Sequence, residues 1–471
     1  MQARQASLKI NMVMNVILTL SSIIFPVITL PYVTRVLGAE GVGRVYFASS
    51  VIAGLAMFAE FGIPVYGIRA CAKVRDDRRE LSKTVREILT INLITCTAAY
   101  ILLAVMLAAV PRLAAERTLL MIMSSTMLLN CIGAEWLYKA LEKFSYITVR
   151  SVSFKIIALI AMFVMVKGPD DYVIYGCITI FAVSASNIMN LCTLHRYADL
   201  RPMGRHDFAV HLPGMLMLFA LAAATTVYTN LDIAILDFMR GDAEAGMYGV
   251  AVKVKLVIVS LVTSVSAVLL PRNSYYYEKN SRDEFYRLLN MTLKIVLMVS
   301  APAAVYFMIY AGETISILAG AGFSGAVLPM VIIMPSVIFI GISNIIGIQM
   351  LVPSNREKTV VKAAVLGAIT DLILNLILIP GYGPVGAAAA TLAAEVIVTF
   401  YMIFEVRDSA AELFRDMPAG IMVTALIIST VAGLALKKLI DGPFLTLAVS
   451  AVCFYGLYAL IIYCYELLHR N

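Results

Sequence analysis

Apolar residues recur along the chain in runs of about 20, the length that crosses the hydrocarbon core of a bilayer as an α-helix. The runs lie near residues 10–34, 45–68, 88–110, 118–138, 147–166, 172–193, 212–238, 246–270, 289–311, 326–349, 361–380, 384–405, 417–436 and 443–465. They predict an all-α polytopic membrane protein with about 14 transmembrane helices. The first run is not apolar all round. Asn11, Asn15, Thr19, Ser22 and Pro26 recur at spacings of three and four and so share one face. Such a stripe is expected to face other helices or a wet cavity, because lipid offers amides and hydroxyls no partner. Pro26 and Pro31 each remove a backbone N–H and predict a kink, which serves either packing or a cavity. Thr225, Thr229 and Asp232 make a second stripe in the seventh run.

The connections are too short for folded domains, the largest being 69–87, 194–211 and 271–288. With the N-terminus inside, inner connections hold Arg69, Lys73, Arg75, Arg78, Arg79, Lys83 and Arg86, then Lys139, Lys143 and Arg150, and further clusters around 196–205, 272–287, 356–362 and 407–415. The outer ones hold only Arg35, Arg44, Arg112, Arg117, Lys167, Arg240, Lys437 and Lys438. The positive-inside rule therefore predicts both termini in the cytoplasm. The 69–87 loop reads chiefly as an orientation signal, with an amphipathic helix on anionic headgroups as the second reading.

Composition agrees: 61% of residues are hydrophobic and 14% charged, against about 45–50% and 25% in ordinary soluble domains. The basic start runs straight into a span too long and too polar-striped for a cleaved signal core, so the first helix is expected to be retained. The net charge of +7 sorts by loop, which argues for orientation and against a nucleic-acid partner. Seven cysteines without a CxxC pair, most within apolar segments, are expected to be free buried thiols, and His195, His206, His211 and His469 lack the spacing of a metal site.

Shifting the chain by 203 places lays Gly38 on Gly241, Gly43 on Gly246, Ala48 on Ala251, Arg69 on Arg272 and Arg79 on Arg282. This predicts two parallel six-helix bundles, residues 1–205 and 206–408, followed by two extra transmembrane helices in 409–471. Parallel repeats of this kind characterise alternating-access transporters, with substrate held between the halves near mid-membrane. Glycines five apart recur at outer turns: Gly38 and Gly43, Gly241 and Gly246, Gly320 and Gly325, Gly381 and Gly386. They suit helix ends and close helix approach in a hairpin-built fold.

Six stretches carry a resemblance: PYVTRVLGAEGVG (31–43), FGIPVYGIR (61–69), EWLYKALEKFSYITVRS (135–151), LLPRNSYY (269–276), IGIQMLVPSNREK (346–358) and LIPGYGPVGAAAATLAAE (378–395). In this order the chain resembles the polysaccharide flippases, the Wzx-type branch of the multidrug, oligosaccharidyl-lipid and polysaccharide exporter superfamily. The resemblance implies two six-helix bundles around a central cavity. It also implies a cargo of oligosaccharide on undecaprenyl diphosphate, turned from the inner to the outer leaflet of a bacterial cytoplasmic membrane by alternating access. A polysaccharide polymerase and glycosyltransferases of the same pathway, and the membrane lipids, are the expected partners.

Ionisable groups within spans cost roughly 2.5–3.5 kcal/mol each on insertion scales and are site candidates by default. Here they are Glu60, Glu135, Lys155, Asp232, Asp237, Lys253, Lys255, Lys294, Asp371 and Glu395. A diphosphate headgroup needs compensating positive charge. The candidates for it are Lys253, Lys255, Lys155 and Lys294, together with Arg35. Lys253 and Lys255 point about 200° apart on a helix, so they are not expected to share the cavity. Lys155 and Lys294 lie close enough to the inner surface to snorkel instead. Asp232 and Lys253 are at similar depth, which suits either a buried salt bridge or a pair broken by proton or sodium exchange. Glu60, Asp371 (with Asn375 four residues on) and Glu395 are further ion-coupling candidates, each equally readable as a contact between helices. No other cofactor and no metal is expected. A multidrug and toxin extruder is the alternative, though its cationic cargo favours a cavity dominated by Asp and Glu. An enzyme is disfavoured because the longest outer connection, around 311–326, is short and nearly uncharged.

Overall fold

The computed structural model describes residues 2–201, 207–279, 281–415 and 417–468. Every regular element among the described residues is helical. The chain divides into two compact units, Met1–Phe238 and Met239–Asn471. The repeat-based boundary at 205, together with His206 and His469, lies outside the described residues.

Among the described residues, ten helices are long and apolar enough to cross a membrane, or up to twelve if each of two bent pairs counts as one span. Two features separate this from the fourteen runs. The first two runs form one continuous helical stretch, and the fourth contains an apolar helix, Arg117–Gly133, of 17 residues.

The first unit holds α1 (Gln2–Glu60), α2 (Ile63–Lys73), α3 (Arg78–Ala109), α4 (Pro111–Ala115), α5 (Arg117–Gly133), α6 (Glu135–Ala140), α7 (Phe144–Met165), α8 (Tyr172–Ile180), α9 (Asn187–Leu194) and α10 (Leu212–Arg240). Pro26 and Pro31 lie within α1, yet the residue whose backbone leaves helical geometry is Gly38, at φ 68° and ψ −177°. Left-handed φ is strained for any residue with a Cβ, so glycine is what permits the kink here. α1 packs on α3, α5 and α7. Phe47, Leu103, Leu113, Leu119 and Leu120 are fully buried, whereas Ile94, Ile101 and Val105 on α3 stay exposed, as lipid-facing side chains should. Lipid is as apolar as these side chains, so close packing rather than transfer from water holds the bundle together.

The 69–87 segment is helical on both sides of a short break. Residues up to Lys73 continue α2, and α3 begins at Arg78, where Asp77 caps it by accepting from the backbone N–H of Arg79 (2.8 Å) and Glu80 (3.2 Å). The approach to α10 is tied down by His211, which shares hydrogen bonds with Tyr66 Oη (2.8 Å) and Glu87 Oε2 (3.0 Å).

The second unit holds α11 (Asp242–Glu278), α12 (Arg282–Ile309), α13 (Ala311–Leu318), α14 (Val327–Ile333), α15 (Ser336–Asn344), α16 (Glu357–Tyr382), α17 (Pro384–Glu405), α18 (Arg407–Leu413), α19 (Ala419–Leu439) and α20 (Pro443–Leu468). Gly241, 203 places after Gly38, adopts nearly the same conformation at φ 91° and ψ 175°. In the fourth glycine pair the turn is made by Gly383 (φ 54°), not Gly381, which is helical within α16. α16 and α17 pack through small residues, Gly386, Ala387, Ala390 and Ala394 among them. A Cβ at Gly386 would sit 2.6 Å from the Leu378 carbonyl oxygen, so the hairpin needs glycine there. α12 is pinned to the last two helices by tyrosines: Tyr310 Oη donates to the Gly433 carbonyl and Tyr306 Oη to that of Leu447, both at 2.7 Å.

Candidate functional site

Five helices of the first unit converge on a buried polar network. Glu60 ends α1, and its Oε1 accepts from Asn130 Nδ2 on α5 at 3.2 Å. Asn130 Oδ1 in turn accepts from Asn187 Nδ2 (3.0 Å) and Ser184 Oγ (3.3 Å). Arg150 on α7 donates to Glu135 Oε2 (2.9 Å), the Ser186 carbonyl (3.0 Å) and Asn187 Oδ1 (3.4 Å). Lys139 closes the far side of Glu135 at 2.9 Å. Two carboxylates thus stand against two cations, but both cations are engaged by Glu135. Among the described residues, no ion pair holds Glu60.

Two local departures from regular helix place these groups. Residues Phe181–Ala185 form a π-helical turn between α8 and α9, a distortion frequent at functional sites, and Ser184 and Asn187 reach Asn130 from it and the helix that follows. Ala134 sits in the left-handed region at φ 40°, which separates α5 from α6 and restarts the helix at Glu135. A non-glycine residue there costs roughly 1–2 kcal/mol. Gly133 has no side chain, and a Cβ on it would run into that of Asn187. Beside the network opens a cavity of about 290 Å³, lined by Glu60, Asn92, Asn130, Glu135, Trp136 and Lys139 among others.

The residues singled out from sequence are distributed as follows. Lys155 donates to the hydroxyls of Ser21 (3.0 Å) and Ser22 (2.7 Å), tying α7 to α1. Lys294 pairs with Glu466 on α20 at 2.9 Å. Arg35 is exposed and donates to the Pro31 carbonyl one turn back, at 2.5 Å. Lys255 is buried and Lys253 half-buried, both on α11. Asp232 is buried in the first unit. In the second, Asp371, Asn375 and Glu395 are all buried, and Asn375 Nδ2 donates to Asp371 Oδ2 at 2.9 Å. Of the polar stripes, Thr19, Thr225 and Thr229 bond the carbonyls four residues back, Asn15 is exposed and Asn11 half-buried.

Among the sequence candidates, the structure brings Glu60 into the network with Glu135. The partners that organise it, Asn130, Arg150 and Asn187, were not site candidates, nor were Asn92 and Trp136, which line the cavity beside it. The signal for the asparagines was present, since an amide within an apolar run needs a partner as a charge does. Arg150 was counted as a loop charge, although it is 1% exposed.

Comparison with known proteins supplies the family. Residues 8–277, more than half of the chain, match the model of the polysaccharide biosynthesis protein family. A protein of Escherichia coli (strain K12) named for O-antigen transport is 23% identical over 411 residues, covering 87% of this chain and 99% of that protein. A counterpart of the same name from Shigella dysenteriae is 27% identical over 397 residues, covering 82% and 96%. Among solved structures, the lipid II flippase MurJ in an inward closed conformation superposes with a TM-score of 0.75 at 17% identity, over 98% of this chain and all of that one, so the two share a fold. The relatives are transporters, not enzymes, and the apolar helices make this a multi-pass membrane protein. The chain belongs to the polysaccharide biosynthesis protein family.

Proposed function

We propose that this protein is a flippase that carries an oligosaccharide on undecaprenyl diphosphate from the inner to the outer leaflet of a bacterial cytoplasmic membrane. The observation that carries the reading is the O-antigen relative, covered over 99% of its length. The chemistry of the chain fits such a cargo. Its diphosphate calls for cations within the membrane, and the first choices are Lys255, buried on α11, and Lys253, two residues before it on the same helix. Its isoprenoid tail calls for an apolar path. The second unit carries a cavity of about 610 Å³ lined by Leu261, Val262, Met298, Phe307, Tyr455 and Ile462 among others. Coupling to protons or sodium ions falls to Glu60, Asp232, Asp371 and Glu395, carboxylates within spans.

The test is leaflet exchange of fluorescent undecaprenyl-diphosphate oligosaccharide in liposomes containing the purified protein. Exchange that requires the protein, and that falls at least severalfold in Lys255→Ala or Lys253→Ala while both variants stay monodisperse, is the expected result. Extrusion of small organic cations without exchange of any lipid-linked glycan would move the protein to the drug-exporter branch. An imposed proton or sodium gradient should accelerate exchange if the carboxylates couple it.

A further inference from the structure

The cavity of the first unit holds two unmet hydrogen-bonding groups of opposite sense. Among the described residues, Trp136 Nε1–H is a buried donor without a partner and Asn92 Oδ1 a buried acceptor without one. The two residues are only 4% and 3% exposed, and both line the cavity. A buried polar group left unsatisfied is costly, so a pair of them in one cavity points to an occupant. Beside them stand Glu60, whose one bond from Asn130 leaves acceptor capacity free of any ion pair, and the amides of Asn130 and Asn187.

The occupant must both donate and accept. A bare cation would satisfy Asn92 and Glu60 but leave the indole N–H unmet. A phosphate would meet the N–H but face the carboxylate of Glu60, while Lys139 and Arg150 are already engaged by Glu135. A polyhydroxylated ring satisfies every group, because each hydroxyl is at once donor and acceptor. The volume of about 290 Å³ is at the lower end of the roughly 300–1,000 Å³ usual for ligand pockets, which suits one ring rather than a chain.

We infer that this cavity is a sugar subsite, in which hydroxyls of one pyranose ring bridge Glu60, Asn92 and the Trp136 N–H. Resting on the flippase reading, the subsite takes a sugar of the cargo glycan and selects for hydroxyl configuration, apart from the cations that meet the diphosphate.

Trp136 is the sole tryptophan of the chain, so its emission reports on the cavity. The full-length protein in lipid nanodiscs is titrated to the solubility limit with methyl glycosides of hexoses, N-acetylhexosamines and deoxyhexoses, and separately with sodium chloride. At least one glycoside is expected to change the emission saturably, with about tenfold weaker binding in Glu60→Gln and in Asn92→Ala, the loss of one strong hydrogen bond. Trp136→Phe, which removes the N–H, should weaken the same glycoside by calorimetry, and covers the case that a first variant does not fold. Three results overturn the subsite: no response to any glycoside, as for a cavity holding water alone; a response to sodium chloride only; or glycoside affinity unchanged in all three variants. Leaflet exchange by the wild type, measured in parallel, separates the two readings. Exchange without glycoside binding removes the subsite and leaves the flippase standing. Glycoside binding without exchange of any lipid-linked glycan removes the flippase reading and, with it, the assignment of the site to cargo.

Discussion

Replacing Arg150 by methionine roughly keeps the length of the side chain and removes its charge and its hydrogen bonds to Glu135, Ser186 and Asn187. Breaking a buried ion pair by deleting one partner typically costs about 3–5 kcal/mol, because the other charge is stranded. Here Glu135 is 34% exposed and keeps Lys139 at 2.9 Å, so the stranded charge is partly compensated. The expected loss is therefore about 3 kcal/mol, the lower end of that range. Glu135→Gln works from the other side. It leaves the guanidinium, 1% exposed, among neutral oxygens with no counter-charge, and should cost about as much. Since each variant breaks the same pair, Glu135→Gln/Arg150→Met should lose less than the sum of the two, with a coupling of about 1–3 kcal/mol. Unfolding by sodium dodecyl sulfate in mixed micelles, followed through Trp136 emission, supplies all four corners of the cycle. An Arg150→Met protein within about 1 kcal/mol of wild type, or costs that simply add, would refute the pair as the brace of the network.

Three further substitutions test the packing around it. Gly67→Ala would place a methyl 2.7 Å from Cδ2 and Cε3 of Trp136, so the indole must shift; a loss of about 1–3 kcal/mol and an altered emission maximum are expected, and an unchanged spectrum would disprove the contact. Tyr310→Phe removes the bond to the Gly433 carbonyl and should lower stability by about 0.6–1.7 kcal/mol, read by the same unfolding assay. Lys294→Gln breaks a partly exposed pair with Glu466 and should cost less than about 1 kcal/mol, with leaflet exchange unaffected; a collapse of exchange would return Lys294 to the cargo path.

How far the chain could be read in advance follows from which interactions are local. Helical spans were legible because a bilayer forces each apolar run to satisfy its own backbone, and nothing distant decides that. The turn at Gly38 was legible in the recurrence of glycine at Gly241, and both residues take the same backbone conformation. The 69–87 segment was not, because charge alone does not say whether a helix stops at the membrane surface or runs beyond it. There the cap at Asp77 decides where α3 starts.

The site divides along the same line. A carboxylate such as Glu60 announces itself, since a charge inside a span is costly whatever surrounds it. Arg150 does not, because its position near a span end admits two readings, an orientation charge or a buried brace. Only the left-handed turn at Ala134 and the π-turn at Phe181–Ala185, which put Glu135 and the Ser186 carbonyl within its reach, select the second. Both distortions are themselves unfavourable locally. They persist because the network over-determines them. The residues hardest to read from sequence are thus those whose backbone is strained on behalf of neighbours from other helices, and they are the ones that shape the cavity beside Glu60.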